Sequence, residues 1–145
     1  MVADELEAAA HEIDDLAAGI APVALGGGRL ADALRTLAAR CPLPVIVVAA
    51  SDAGGGPAAE TALYFVCAEA VVNAVKHARA SRVTITIAKQ QGELVASMAD
   101  NGRGGADPAG QGLQGLADRL ATRNGRLLVE SSPGAGTRVI AAIRP

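Results

Sequence analysis

Residues 58–79, AAETALYFVCAEAVVNAVKHAR, constrain this chain more than any other stretch. Leu63, Phe65, Val66, Cys67, Ala70, Val71, Val72 and Val75 fall on every side of a helical wheel. A helix that is apolar all round has to be buried, so the remainder of the chain must wrap it. One polar stripe breaks the pattern. Glu69, Asn73 and His77 recur at i, i+4 and i+8 on a single face, with Lys76 beside them. Buried carboxylates and amides are costly without partners, so the stripe should face a cavity, water or a ligand. The plainer reading is a solvated strip on a partly exposed helix.

The wrapping elements follow from local pattern. Residues 4–18 read as an acidic, alanine-rich helix, ended by Gly19, Pro22 and the triplet Gly26-Gly27-Gly28. Residues 29–40 place Leu30, Leu34 and Leu37 on one stripe, an amphipathic helix stopped by Pro42 and Pro44. Residues 44–50 form a strand, and Pro57 suits the start of the long helix. Strands at 82–89 and 93–99 sit close enough for an antiparallel hairpin, a helix is expected over about 113–123, and strands follow at 126–131 and 137–143. Hairpins alternating with helices predict an α+β fold: a two-layer sandwich with a mixed, mostly antiparallel sheet and helices on one face.

Composition narrows the partners. The chain carries one Tyr, one Phe and a net charge of −2, so it offers neither stacking platforms for bases nor a basic footprint, and nucleic acid is not expected. Cys41 and Cys67 lack the second pair that zinc spacing requires, and a reduced, cytoplasmic setting fits them. The apolar run at 44–50 is far too short to span a bilayer, and no membrane contact by this segment is expected.

The glycine-rich stretch ADNGRGGADPAGQGLQGL at 99–116 carries the chemistry. A P-loop is excluded because no Gly-Lys-Ser/Thr follows any glycine. GQGLQG at 110–115 matches a dinucleotide fingerprint, with Glu130 where a ribose acid would lie, but it does not directly follow a strand and too little chain remains for a doubly wound sheet. Two loops with separate tasks fit better. Asp100, at a strand end, accepts hydrogen bonds only and can select an exocyclic amino group such as adenine's. Gly102 and Gly104 let a purine lie against bare backbone. Gly110 and Gly112 precede a helix whose free N–H groups favour phosphate. Magnesium, with its oxygen ligands and shared phosphates, suits an Asn better than zinc does.

Glu69-x-x-x-Asn73-x-x-Lys76-His77, Asp100-Asn-Gly-Arg-Gly104, Gly110-x-Gly112-Leu-x-Gly115 and Gly134-x-Gly136-Thr137 occur in that order. Together they resemble the N, G1 and G2 boxes and the final Gly-Thr segment of the Bergerat-fold ATPases. The chain is most similar to the catalytic ATP-binding domain of bacterial two-component sensor histidine kinases, and residues 112–139 resemble the short-lidded branch of nitrate/nitrite sensors. The resemblance implies ATP and Mg²⁺ as cofactors. It implies Asn73 as the Mg²⁺ ligand, Glu69 as the acid/base or water-orienting carboxylate, and Lys76 and His77 near the phosphates. It implies Asp100 on the adenine amino group, Gly102 and Gly104 beneath the ring, and Thr137 close to the base. Gly110, Gly112, Leu113 and Gly115 would form the lid and phosphate turn. The implied partners are a His-containing dimerisation domain and a response regulator.

The lid between Gly104 and Gly110 is minimal, and no full acceptor hairpin follows His11-Glu12. Residues 1–28 therefore resemble the end of an acceptor-domain helix plus a linker, and 29–145 the ATP-binding domain. A monomer with little activity by itself is expected. The alternatives are an anti-sigma-factor-type serine kinase and a nucleotide-sensing module without transfer activity.

Overall fold

The structure, a computed structural model, describes residues 25–76, 79–103 and 111–144, with residues 111–113 described by their backbone alone. Helix α1 spans Leu30–Ala38, strand β1 Val45–Ala49 and helix α2 Pro57–Lys76. The hairpin β2 (Val83–Gln90) and β3 (Glu93–Asp100) follows. Helix α3 (Gln111–Ala121) leads into β4 (Arg126–Ser131) and β5 (Thr137–Ile143).

The five strands form one sheet in the order β1-β2-β3-β5-β4. β1 runs parallel to β2, and the remaining pairs are antiparallel. The parallel pair needs a long crossover, and α2 supplies it. β2 and β3 need only a tight turn, and Gln91 and Gly92, both at positive φ (53° and 78°), match the hairpin turns that follow strand twist.

The helices cover one face of the sheet. Leu30, Leu34 and Leu37 of α1, and Leu116 and Leu120 of α3, join α2 in one core with Val83, Ile85, Ile87, Leu94, Met98, Val139 and Ile143. On the other face, Ile46, Val48 and Leu128 stay exposed. α2 is long and apolar enough to cross a bilayer by length and composition, yet two-thirds of that stretch is buried in this core, as its all-round apolar surface requires. Cys67 is fully buried within it, and burial pushes its thiol up to about 12. It packs as a small hydrophobe.

Element ends differ slightly from the sequence reading. α2 is helical to Lys76, and Arg79, read as helical, has φ +52° and has left the helix. α3 begins at Gln111, ahead of the expected 113. It stops before 123 because Asn124 turns left-handed (φ +58°) and the Gly125 N–H caps the Leu120 carbonyl at 2.8 Å. Leu25, ahead of Arg29, already sits in the core at 5% exposure.

One buried charge organises the amino-terminal side. Glu60, in the first turn of α2, is 0% exposed. Its Oε2 accepts the N–H groups of Gly28 (2.8 Å) and Gly55 (2.9 Å), and its Oε1 accepts that of Leu30 (2.8 Å). Glu60 thereby caps α1 from another helix, where Arg29 makes no side-chain cap of its own. Burial pushes the carboxyl up, but the backbone N–H groups outweigh this and hold it below its ordinary value. The arrangement depends on glycine. Gly26, Gly27 and Gly28 all have positive φ, and a Cβ on Gly54 would sit 3.0 Å from the Gly28 nitrogen.

Candidate functional site

Connectivity brings the sequence motifs to one end of the sheet. α2 runs from the end of β1 to the start of β2, so its last turns reach the end where Val83 begins β2. Val83 pairs with Asp100, the last residue of β3, and Asp100 pairs with Thr137, the first of β5. α3 departs from that same end, because it must climb to Arg126 at the far end of β4. The last turns of α2, the tip of β3, the start of β5 and the N-terminus of α3 therefore share one edge of the helix-covered layer.

Register also decides which way the side chains face. Residues opposite one another in an antiparallel ladder point to the same face. Val83, Asp100, Thr137 and Ser131 form one row across four strands, and Val83 is fully buried under the helices. Asp100, Thr137 and Ser131 consequently face the helical layer, and all three are half-buried. The Ser131 Oγ and Thr137 Oγ1 share a hydrogen bond of 2.8 Å, and the Gly102 N–H donates to Asp100 Oδ1 at 2.8 Å. An acceptor, two hydroxyls and bare glycine backbone make a polar end wall for an otherwise apolar layer.

The loop beyond Asp100 is held from two sides. The Asn101 Oδ1 accepts the N–H groups of Ser81 and Arg82, each at 2.9 Å, and its Nδ2 donates to the Ser81 Oγ at 2.8 Å. These bonds tie the loop to the segment that leaves α2. From the other side, the Gly134 N–H donates to the Arg103 carbonyl at 2.6 Å. Gly136, at φ +75°, passes so close that a Cβ there would collide with the Asp100 carbonyl oxygen. The glycine before Thr137 is thus fixed by the approach of β5 to the tip of β3.

On α2, Glu69 and Asn73 are half-buried and Lys76 is exposed, whereas Ala68, Ala70, Val71, Val72 and Ala74 are buried. The polar stripe is the least covered line of the helix. Phe65, one turn before Glu69, receives the guanidinium of Arg119 from α3 at 4.9 Å from the ring centroid. Among the described residues no three of His, Cys, Asp and Glu gather as a metal cage. The oxygen donors on the stripe are the Asn73 amide and the Glu69 carboxylate, a hard set that suits Mg²⁺ shared with phosphates. His77, Gly104 and Gly110 lie outside the described residues, as does the side chain of Leu113. Gly112 and Gly115 fall within α3, in its first two turns.

Sequence reasoning missed Glu60, Asn101, Ser131 and the Phe65–Arg119 contact. Glu60 left a local signal: one carboxylate in an otherwise apolar first turn, in a chain with glycine triplets at 26–28 and 54–56. The others depend on pairings between distant segments and left none.

The fold is the two-layer α/β sandwich of an ATPase domain. Residues 58–145 match the family described as "Histidine kinase-, DNA gyrase B-, and HSP90-like ATPase", and the chain belongs to that family. It is similar to the signal transduction histidine-protein kinase/phosphatase DegS of Brevibacillus brevis, with 33% identity over 88 residues, covering 58% of this chain and 23% of that protein. The chain thus spans under a quarter of the length of that relative. Among solved structures, it is similar to the blue-light activated histidine kinase of Erythrobacter litoralis EL346. The identity is 26% and the TM-score 0.63, covering 83% of this chain and 42% of that one. The histidine kinase AdeS of Acinetobacter baumannii shares the fold at TM-score 0.60 and 14% identity, covering 80% of this chain and 61% of that chain.

Proposed function

We propose that this domain binds Mg-ATP and transfers its γ-phosphoryl group to a His on a separate dimerisation domain, which then serves a response regulator. The observation that carries the proposal is that the Asp100–Thr137–Ser131 row and the C-terminal half of α2, with Glu69 and Asn73, lie toward the same end of the helix-covered layer. The Asp100 carboxylate accepts the adenine amino group, and Thr137, steadied by Ser131, bonds close to the base. The N-terminus of α3 meets the phosphates with free N–H groups. Asn73 would hold Mg²⁺, which would supply charge neutralisation for the phosphates, and the exposed Lys76 adds positive charge nearby.

Such a site works by positioning. The acceptor imidazole nitrogen forms a bond to the γ-phosphorus while the bond from phosphorus to the β–γ bridging oxygen breaks. ADP leaves with that electron pair, and Glu69 takes the imidazole proton. The short connection between Gly104 and α3 favours a place in the nitrate/nitrite-sensor-like branch of two-component kinases. We place the domain in the cytoplasm, as a monomer with little autophosphorylation by itself.

The test mixes the chain with γ-labelled ATP, alone and with an acceptor His domain of this branch. Label on His, dependent on the acceptor, supports the proposal. Label on Ser of a sigma-antagonist protein favours a serine kinase instead, and label on neither marks a nucleotide-sensing module.

A further inference from the structure

α2 and α3 run antiparallel along one face of the sheet, since α2 approaches the site end and α3 leaves it. Leu116 and Leu120 join them through apolar packing, which has little directional preference and tolerates sliding. The Arg119 guanidinium, 4.9 Å over the Phe65 ring, adds a contact that does have direction. The ring itself is fixed. It sits edge-on to Tyr64 at 6.3 Å between centroids and 74° between planes, and Tyr64 is buried.

The spacing on either side of this contact is equal. Asn73 lies eight residues beyond Phe65 on α2, and Gln111 lies eight residues before Arg119 on α3. At a rise of about 1.5 Å per residue, each separation is about 12 Å along the axis. With the helices antiparallel, seating Arg119 on Phe65 brings the first turn of α3 to within about a side-chain length of the height of Asn73.

We infer that Phe65 and Arg119 form a positioning pair that sets the N-terminal turn of α3 opposite Asn73, so that both helices meet the triphosphate together. The inference rests on the ATP reading above. The pair stands too far along both helices to touch the phosphates and acts through the height of α3. Base recognition at the tip of β3 does not depend on that height, so loss of the pair should weaken phosphate binding alone.

The experiment measures the affinities of ATP and adenosine, by calorimetry with Mg²⁺, on the full chain and on Arg119→Ala, Arg119→Lys, Phe65→Leu and the double variant Phe65→Leu/Arg119→Ala. Arg119→Ala should weaken ATP about fivefold and leave adenosine unchanged, the size expected of one exposed cation–π contact. Arg119→Lys, which keeps a cation on the ring face, should recover most of the loss. Phe65→Leu should match Arg119→Ala, and the double variant should add nothing. An unchanged ATP affinity in Arg119→Ala, or equal losses for ATP and adenosine, overturns the pair. A loss in Arg119→Ala without one in Phe65→Leu also overturns it, because the guanidinium would then act on the nucleotide directly. A wild-type chain that binds neither ligand removes the ATP reading itself.

Discussion

Asp100 and Thr137 stand opposite one another where β3 ends and β5 begins, on the face of the sheet that the helices cover. One supplies a carboxylate and the other a hydroxyl already bonded to Ser131. Replacing Asp100 by Asn puts a donor where the site presents an acceptor to the adenine amino group. A hydrogen bond to a charged group contributes about 1.5–3 kcal/mol, so Asp100→Asn should weaken ATP tenfold or more on that estimate. Preference for ATP over GTP should fall with it. Competition binding with both nucleotides reads this directly, and an unchanged preference would remove Asp100 from the base site.

Asn73→Ala should leave the fold intact, because this residue is only half-buried on the least covered line of α2. Its cost should appear in function. Mg²⁺-dependent transfer to an acceptor His should drop below detection, while the melting temperature moves by a few degrees at most, consistent with about 1 kcal/mol or less. Transfer at the wild-type rate would make the stripe a structural feature.

Glu60 carries the largest expected stability effect. Glu60→Gln places an NH₂ group among three N–H donors, one buried and two half-buried, and Glu60→Ala leaves them without this acceptor. Either should cost about 3 kcal/mol, read from the denaturant midpoint. The pH dependence has a definite sign. The folded carboxyl is held below its ordinary value of 4.5, so its contribution is complete above that value. It is lost as pH falls below 4.5 through the lowered folded value, as the carboxylate is protonated. Wild type should lose stability over that acid range more steeply than Glu60→Gln, and parallel curves would contradict the clamp.

Gly136 and Gly134 form a matched pair. Both have positive φ (75° and 80°), but a Cβ on Gly134 meets open space, while one on Gly136 meets the Asp100 carbonyl. Gly134→Ala should cost about 1 kcal/mol from backbone conformation alone. Gly136→Ala should cost more and should also weaken ATP, since the tip of β3 must move. Comparing melting temperature with ATP affinity for the two variants separates strain from displacement of the site.

Much of this molecule is written locally. The all-round apolar surface of residues 58–79 dictates a central buried helix, and alternation dictates strands at 82–89, 93–99, 126–131 and 137–143, within a residue of those observed. Asp100 at a strand end, the Glu69–Asn73 spacing and the glycine order could be read the same way. Each depends on residues within a few positions of one another, where periodicity and backbone freedom act directly.

The tertiary structure alone decided what those pieces meet. The parallel pairing of β1 with β2, the Asp100–Thr137–Ser131 row, the three bonds to Glu60 and the seat of Arg119 on Phe65 all join segments far apart in sequence. Ladder register and burial against a shared core select such partners, and neither leaves a local pattern. A lone carboxylate in an apolar turn reads as a solvated end until two glycine loops fold over it.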